Sequence, residues 1–565
     1  MWLIAKLKNS MDYTNWFKLS PKRWWSIGKF LTLSVCCCLL VVSCGGSPTK
    51  EQSSSPTPSA ADSGRVVVGT TLKPRTLDPA DAYELSASNV LNSLCDRLYT
   101  YKPGSTELVP QLATELPKVS EDGLTYTIPV REGVVFHDGT PFNGKAMAFS
   151  LNRFIQNGGK PSSLLVDVVD SVKASGEYEL TIKLKNAFAP FPSLLAFSGM
   201  CAVSPEAYEI GGGKFEPKQF VGTGPYKLTE FSANSIQLDV FKDYWGEKPP
   251  NQGLNFQILT SSPNLFNSFT TGAVDIAYQT FDPDQILSLK DKATEGGWQV
   301  IEAPSNNVSY MVLNTKLAPF EQLEARQAIA ALINRKLINE RVLRNQATPA
   351  YSLIPTGFDF SEPTFKTAYG DGDITKVKEL LTKAGFTQDK PLTFEIWYPS
   401  GSATREQVAS TLKEYATQEL KGLVEIQPQT VDSSSYWNQL SQGVYQSALV
   451  DWYPDFSDPD NFIHPLVSCT KGSEANGCEE GASQSQGSFY YSDRMNELIE
   501  QQRTEQDPAA RKKIFAEIQT LLARDVPLIP LWQPKEYAFA KKELENVKLD
   551  PILQLRLWEV KKGKA

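Results

Sequence analysis

The spacing of apolar side chains divides most of the chain into alternating strands and helices. Alternating runs at Leu180–Leu184 and Leu392–Ile396 place every second side chain on one face, which is typical of half-buried strands. Apolar residues recur at i, i+4, i+7 and i+8 from Ala325 and again from Ile514, which predicts two amphipathic helices. A β-branched run follows Arg65, so we expect a mixed α and β structure that begins there.

A third helical stripe runs from Val377 to Ala384, and Gly385 follows it as a natural terminating residue. No segment of 20 to 50 residues repeats along the chain, which argues against a solenoid or a propeller. Two long, unlike lobes fit this pattern better.

The first 46 residues read as an export segment. Lys and Arg residues precede an uncharged apolar run from Phe30 to Val42, which is too short to span a bilayer comfortably. Ser43, Cys44 and two glycines follow, and this junction resembles the lipobox of bacterial lipoproteins, in which the cysteine is acylated. We therefore predict a signal peptide over residues 1–43 and a lipid on Cys44. An ordinary signal peptide with a chance cysteine is the alternative interpretation.

Residues 44–64 are rich in Ser, Pro, Thr and Ala and lack an apolar face, which predicts a flexible tether. Residues 1–43 carry six basic residues and one acidic residue, so the remaining 522 residues have a net charge of −13 instead of −8. This length allows more than one hydrophobic core. The negative charge argues against nucleic acid or an anionic membrane surface as a partner.

Four cysteines follow Cys44, an even number in an export context where disulfides persist. Cys469 and Cys478 lie close enough in sequence to close one loop, and we predict a disulfide between them. The spacing leaves the pairing of Cys95 with Cys201 open, because it does not show whether their Cβ atoms meet.

Catalytic functions find little support after Cys44, where His137 and His464 are the only histidines. The sequence holds no Gly-x-Ser-x-Gly elbow, no Walker A loop and no Cys-x-x-Cys pair. His137 lies in a segment of turn-forming residues, so we expect it to make a loop hydrogen bond and not to bind a metal. We predict no enzyme activity, no metal site and no cofactor.

A binding function is better represented by the segment LVDWYPDFSDPDNF at residues 449–462. Trp452, Tyr453 and Phe456 surround Asp455, and two prolines restrict the backbone. A carboxylate held among aromatic rings suits a cationic ligand group through a charge-assisted hydrogen bond and cation-π attraction. The alternative is an aspartate that caps a turn beneath buried aromatic residues.

Several separated segments, in this order, resemble family 5 of the bacterial extracellular solute-binding proteins. The resemblance extends over residues 65–560. Its motifs are Thr76-Leu-Asp-Pro, Asp122-Gly-Leu-Thr-Tyr-Thr, Arg131-Glu-Gly-Val-Val-Phe-His-Asp-Gly-Thr-Pro-Phe-Asn, Gly222-Thr-Gly-Pro-Tyr, Tyr244-Trp-Gly-Glu-Lys-Pro, Gly272-Ala-Val-Asp-Ile, Leu313-Asn-Thr, Ala325-Arg-Gln-Ala and Ala384-Gly-Phe.

The resemblance implies an α/β periplasmic-binding-protein-like fold of type II, cluster C, with two lobes and an enlarged, discontinuous first lobe. Lobe 1 is expected over residues 65–308 and 530–565, with an extra subdomain at about 98–215. Lobe 2 is expected over residues 309–529. The chain should cross between them near residues 308–313 and return near residues 526–534.

The resemblance also implies a function. The protein would be the substrate-binding component of an ABC importer, capturing oligopeptides for a permease and ATPase complex. It would act as a monomer, exported to the periplasmic or cell-surface side and anchored through Cys44. In peptide-binding members, an aspartate that matches Asp455 receives the amino terminus of the peptide.

Dipeptide-specific members hold the ligand carboxylate with an arginine, and Tyr398 takes that place in this sequence. The departure argues for longer or non-peptide ligands, although Arg405 lies close enough in sequence to reach the site. Oligosaccharides, opines and metal chelates are alternative ligands. A sugar would use Tyr398, Tyr310, Trp452 and Tyr453 as stacking faces. An exported hydrolase with paired carboxylates is the rival of another class.

Overall fold

A computed structural model of the protein describes residues 64–550 and 552–563. The predicted signal segment, Cys44 and all but the last residue of the predicted tether lie outside these residues. No helix in the described ranges is both long and apolar enough to cross a membrane.

The described chain alternates strands with helices almost to its end. The strands are β1 (Val66–Thr70), β2 (Tyr99–Tyr101), β3 (Leu108–Pro110), β4 (Lys118–Val119), β5 (Thr125–Pro129), β6 (Val169–Gly176), β7 (Glu179–Leu184), β8 (Tyr226–Phe231), β9 (Ser235–Val240), β10 (Leu254–Ile258), β11 (Ile276–Tyr278), β12 (Trp298–Pro304), β13 (Val308–Leu313), β14 (Ala347–Pro349), β15 (Leu392–Pro399), β16 (Val424–Val431), β17 (Ser447–Trp452), β18 (Lys471–Ser473), β19 (Gly477–Glu480), β20 (Leu528–Lys541), β21 (Leu544–Glu545) and β22 (Lys561–Lys562).

Helices of four to eighteen residues connect these strands. They are α1 (Leu85–Leu94), α2 (Gly144–Gln156), α3 (Ser163–Val166), α4 (Phe191–Leu194), α5 (Ser262–Thr270), α6 (Pro283–Asp291), α7 (Ala293–Gly296), α8 (Leu323–Leu332), α9 (Arg335–Arg341), α10 (Thr364–Tyr369), α11 (Ile374–Lys383), α12 (Ala403–Leu420), α13 (Ser433–Ser441), α14 (His464–Val467), α15 (Ala482–Ser485), α16 (Asp493–Thr504) and α17 (Pro508–Asp525).

The elements that were predicted from periodicity are present. Leu180, Ile182 and Leu184 are buried in β7, and the alternating run at Leu392–Ile396 lies in β15. The three helical stripes become α8, α11 and α17, with their apolar faces buried. Gly385 follows α11 with φ of 82°, a left-handed conformation that a glycine adopts without steric cost.

The hydrophobic cores define two lobes. A single core formed by residues 308–532 defines lobe 2. Lobe 1 has cores that draw on both ends of the described chain, from residues 66–303 and 537–560. A further core over residues 98–202 packs around the four-stranded sheet β4-β5-β7-β6 and forms a subdomain of lobe 1.

One sheet of 12 strands runs through both lobes, in the order β16-β15-β17-β13-β20-β11-β1-β10-β9-β8, with β12 and β14 also paired to β20. Strand β20 joins the lobes because it changes partners along its length. Trp532 pairs with Ser309 of β13, whereas Lys535 pairs with Pro304 of β12. The two lobes therefore meet at residues 305–308 and 533–534.

Both cysteine pairs form disulfides. Cys469 and Cys478 close the β18–β19 hairpin, as predicted. Cys95 and Cys201, whose pairing the sequence left open, are joined across 106 residues and link the end of α1 to the last residues of the segment that forms the subdomain core.

Candidate functional site

Two adjoining cavities lie between the lobes. Cavity A has a volume of about 420 Å³ and is lined by residues of both lobes, including Tyr83, Trp452 and Asp455. Cavity B has a volume of about 400 Å³, and β20 contributes part of its wall. Leu85 and Tyr453 line both cavities, so the two form neighbouring parts of one cleft.

The segment that carries Asp455 is fixed by its own side chains. It leaves β17, passes through Pro454 and ends in a 3-10 helix at Pro459–Phe462. Asp458 begins this helix by accepting a hydrogen bond from the Asp460 N–H at 2.8 Å. Its buried carboxylate also receives two hydrogen bonds from Arg511 of α17, at 2.6 and 2.8 Å. The conformation of the segment is therefore set before any ligand enters.

Asp455 lies half-buried on the wall of cavity A. The Tyr83 hydroxyl of lobe 1 donates to its Oδ1 at 2.7 Å, and its backbone N–H donates to Asn461 Oδ1 at 2.9 Å. Burial raises the pKa of Asp455, although the hydrogen bonds with Tyr83 and Asn461 favour the ionised form. Among the residues that the structure describes, no Lys, Arg or His forms an ion pair with it. Asp455 is thus a carboxylate without a cationic partner inside a cavity.

The aromatic residues that were predicted for the site differ in how much of their rings is exposed. Trp452, Tyr453 and Phe456 line cavity A, and Tyr453 is 54% exposed. Phe456 is 8% exposed because its ring packs into the core of the subdomain. Phe456 therefore mainly packs against lobe 1, and little of its ring is exposed to the cavity.

Tyr310 and Tyr398 do not line cavity A or cavity B. Tyr310 is fully buried in the core of lobe 2, where its hydroxyl hydrogen-bonds Gln486 Oε1 at 3.2 Å. Tyr398 is buried in the same core. Neither ring offers a free face for stacking in this conformation, which corrects the expectation for both. Tyr398 continues the alternation of Leu392–Ile396 on the buried face of β15, and Tyr310 lies in β13, whose residues are all buried.

Arg405 does not reach into the cleft as a free cation. Its Nη2 donates to Asp451 Oδ2 at 2.5 Å, and Ser309 Oγ donates to the other oxygen of Asp451 at 2.6 Å. Three carboxylates line cavity A, and this ion pair neutralises Asp451, while Glu84 is paired with Arg75 at 3.0 Å. Asp455 is therefore the carboxylate of cavity A that lacks a cationic partner among the described residues.

Sequence inspection missed two polar residues of cavity A. Asn307 is 2% exposed, and neither atom of its amide group has a hydrogen-bond partner in the described part of the chain. Arg97 is also buried; its Nη1 donates to Asn92 Oδ1 at 2.5 Å and its Nε has no described partner. The only signal for Asn307 was a polar run, Ser305 to Asn307, next to the apolar strand β13.

His137 and His464 have no metal-binding partners among the residues that the structure describes. Within residues 64–550 and 552–563, no group of three or more His, Cys, Asp or Glu residues is arranged to hold a metal ion. The Gly222 N–H donates to His137 Nδ1 at 3.3 Å, and His137 Nε2 lies 3.0 Å from the Gly224 carbonyl oxygen. His137 thus makes the loop hydrogen bonds that its turn sequence predicted.

Comparisons with known proteins show the family to which the chain belongs. The model of the family described as bacterial extracellular solute-binding proteins, family 5 Middle, matches residues 107–474. The chain is 25% identical to the dipeptide-binding protein of Escherichia coli, over 85% of this chain and 90% of that protein. It is 26% identical to heme-binding protein A of Haemophilus influenzae, over 89% of this chain and 91% of that protein.

A solved structure shares the fold. The dipeptide-binding protein from Pseudoalteromonas sp. SM9913, in complex with Met-Leu, superposes with a TM-score of 0.72 at 22% identity, covering 88% of this chain and all of that one. The α/β fold with two lobes is therefore of the type II binding-protein kind.

Proposed function

Because the chain belongs to family 5 of the bacterial extracellular solute-binding proteins, we propose that it captures oligopeptides between its lobes for an ABC importer. The peptide would pass from the cleft to a permease and ATPase complex. The protein would do this as a monomer, with lobe 1 formed by residues 65–308 and 530–565 and lobe 2 by residues 309–529.

The observation that carries this proposal is the unpaired carboxylate of Asp455 in cavity A. A peptide ammonium that replaces the Tyr83 hydroxyl would keep a charge-assisted hydrogen bond to Asp455 and add the attraction of an opposite charge, which a neutral hydroxyl does not supply. Trp452 and Tyr453 would add cation-π attraction from the same wall.

The unpartnered polar atoms of cavity A support a peptide over an apolar ligand. Asn307 has a free donor and a free acceptor, and Trp452 Nε1 is buried without a partner among the described residues. Buried polar groups are normally satisfied, and a peptide backbone offers both carbonyl oxygens and N–H groups. Binding would therefore remove a desolvation cost that the unliganded protein carries.

Asp455→Asn tests the proposal. We expect this substitution to weaken tripeptide binding by more than about tenfold in calorimetry, because a buried charge-assisted contact is lost. Asp170→Asn, the same change at an exposed position of β6, serves as the matched control. Unchanged affinity of the Asp455 variant would contradict a role for Asp455 in binding an ammonium group.

Mass spectrometry of ligands that copurify with the protein tests the ligand class. Retained peptides would support the proposal, whereas a sugar, an opine or a metal chelate without peptide would overturn it. Turnover of peptides or glycans by the purified protein would instead support the hydrolase alternative.

We also propose that the protein is exported and anchored by a lipid on Cys44. The family is extracellular by its description, and the junction at Val41–Cys44 supports acylation. A lipid anchor and the tether would keep the binding lobes near an importer and raise their effective concentration there. Cys44→Ser should abolish labelling by palmitate, whereas Cys38→Ser should retain it.

A further inference from the structure

Cavity B is a second compartment of the cleft, and it has no role in the function proposed above. It is lined by Gln279 and Phe281 of lobe 1, by Gln346 and Thr404 of lobe 2, and by Trp532 and residues 534–537 of β20. It is therefore bounded by both lobes and by the strand that joins them. Tyr453 separates it from cavity A, which holds Asp455.

Two charged side chains, Lys535 and Glu536, line cavity B, and only one of them is already paired. Lys535 Nζ lies 2.6 Å from Glu302 Oε1, and the same carboxylate binds Lys290 at 3.0 Å. Lys535 is thus engaged outside the cavity.

Glu536 has no hydrogen bond or ion pair through its carboxylate with any residue that the structure describes. It is partly buried, and this burial raises its pKa to about 7. The amide groups of the neighbouring glutamines donate their hydrogen bonds elsewhere. Gln279 Nε2 donates to Tyr278 Oη at 2.9 Å, and Gln346 Nε2 donates to the Pro283 carbonyl at 2.7 Å. An unpaired carboxylate in a cleft loses hydration without compensation, and a ligand cation would supply that compensation.

The rings around Glu536 suit a cation with an aliphatic stem. Phe281, Tyr453, Trp532 and Tyr537 all line cavity B. Lys and Arg side chains bury their methylene groups against apolar walls and place the charged head near a carboxylate or an aromatic face. A free carboxylate in this place would meet Glu536 as a like charge, with no unpaired described Lys or Arg among the lining residues.

We propose that cavity B binds a Lys or Arg side chain of the peptide, with Glu536 as its counterion, and disfavours a terminal carboxylate. This inference rests on the proposed function for the orientation of the ligand, whose ammonium lies at Asp455. One extended residue spans about 3.3 to 3.6 Å, so a side chain within the first few residues would face the neighbouring cavity. The protein would accordingly select basic peptides longer than two residues.

Calorimetry with tetrapeptides tests this selection. Lys, norleucine or Glu is placed in turn at positions 2, 3 and 4 of tetra-alanine, because norleucine keeps the length of lysine without its charge. We expect one position at which Lys binds at least tenfold more tightly than norleucine, and at which Glu binds most weakly. In Glu536→Gln, the preference for Lys should fall below about threefold while the affinity for the norleucine peptide stays the same.

Glu419→Gln, an exposed position on α12, should keep the preference for Lys and is the matched control. The melting temperature of Glu536→Gln at pH 8 should not fall below that of the wild-type protein, because an unpaired charge is removed. The inference is overturned if Lys is preferred at no position, or if Glu536→Gln weakens the Lys and norleucine peptides equally. If the wild-type protein shows no preference for Lys but binds tetra-alanine in an Asp455-dependent way, the role of cavity B alone is refuted, whereas no binding of any peptide would refute the proposed function too.

Discussion

At the residue scale, the polar atoms of cavity A that lack partners are the ones that a ligand can use. Asn307 is the clearest case, because it is buried and both ends of its amide are free in the described structure. Its energetic effect on the unliganded protein is unfavourable, since a buried polar group without a partner loses its hydration.

Asn307→Leu should therefore weaken peptide binding and leave stability unchanged or higher. We expect a loss of about tenfold in affinity, the size of one or two hydrogen bonds, by calorimetry. Asn314 is the matched control, because its buried amide donates to the carbonyls of Gly443 and Tyr445 at 3.2 Å. Asn314→Leu should lower the melting temperature instead. A fall in melting temperature for both variants would assign Asn307 a structural role.

His137 makes folding stability depend on pH. Burial lowers its pKa to about 4, against 6.5 for an exposed histidine, and the hydrogen bond with Gly224 opposes this shift only in part. Between these two values the unfolded chain binds a proton that the folded protein does not. Stability from this site is therefore complete above pH 6.5 and is lost as the pH falls towards 4.

Urea denaturation at pH 7 and pH 4.5 measures this effect, which should amount to about 2 to 3 kcal/mol at His137. His137→Gln should be less stable at pH 7 but should lose less stability on acidification. Burial raises the pKa values of Asp96 and Asp460 to about 6, so these groups stabilise the folded protein as the pH falls, opposite to His137. They are the same in wild type and in His137→Gln, so the difference between the two proteins reports on His137. Identical pH dependence in both proteins would contradict the assignment.

The sequence allowed a site to be predicted where a segment has a distinctive composition, but not where the presence or absence of hydrogen-bond partners decides the chemistry. The aromatic and proline-rich segment around Asp455 could be recognised, and the structure brings Asp455, Trp452 and Tyr453 to one cavity. Asn307 and Glu536 matter because they lack partners, and the absence of a partner is a tertiary property.

At the element scale, β7, β15 and helices α8, α11 and α17 followed from periodicity, but the extent of β20 did not. The connecting run was expected at residues 526–534, whereas the strand continues to Lys541. In the second half of β20, charged ends and two alanines leave only Tyr537 and Phe539 as large apolar residues, which is too short a pattern to mark the end of the strand. This half is strand because β11 and β12 pair with it on both sides.

The ion pair of α17 with the binding segment links helix packing to ligand affinity. Arg511→Met should cost about 3 to 5 kcal/mol, because it leaves the carboxylate of Asp458 buried without a partner. It should also weaken peptide binding, since Asp458 begins the 3-10 helix that carries Asn461, and Asn461 accepts from the backbone of Asp455. Urea denaturation and calorimetry measure the two effects.

Arg153→Met in α2 is the control for this prediction. Arg153 donates to both oxygens of Asp78 in lobe 1, at 2.6 and 2.7 Å, and both side chains are buried. The stability loss should be similar, but affinity should change little at a temperature where the variant is folded. Equal losses of affinity in both variants would mean that general destabilisation, and not the binding segment, determines the effect.

At the scale of the whole molecule, ligand affinity includes the free energy of bringing the lobes together. The structure contains contacts that join the lobes without a ligand, among them Tyr83 with Asp455, and the hydroxyl of Tyr101 with the backbone N–H of Ser457 at 3.0 Å. The sequence resemblance predicted two lobes, but it did not reveal these contacts, because they pair residues 372 and 356 positions apart.

An exposed ion pair at the mouth of the cleft should tune this closure. Asp284 on α6 of lobe 1 lies 3.2 Å from Arg344 of lobe 2, so the pair exists only when the lobes are close. Exposed pairs contribute about 0.2 to 1 kcal/mol. Arg344→Ala should therefore lower peptide affinity by no more than about fivefold at low ionic strength, measured by calorimetry.

The dependence on salt and a second ion pair within one lobe show whether Arg344 acts through lobe closure or through a local change. The Debye length falls from about 10 Å at 0.1 M salt to about 3 Å at 1 M, so the affinity difference between Arg344→Ala and wild type should disappear in 1 M NaCl. Lys512 and Asp359 form a comparable exposed pair at 2.8 Å, but both belong to lobe 2. Lys512→Ala should leave affinity unchanged at every salt concentration, because breaking this pair does not favour either arrangement of the lobes. A salt-independent loss in Arg344→Ala, or an equal loss in Lys512→Ala, would exclude the pair from control of closure.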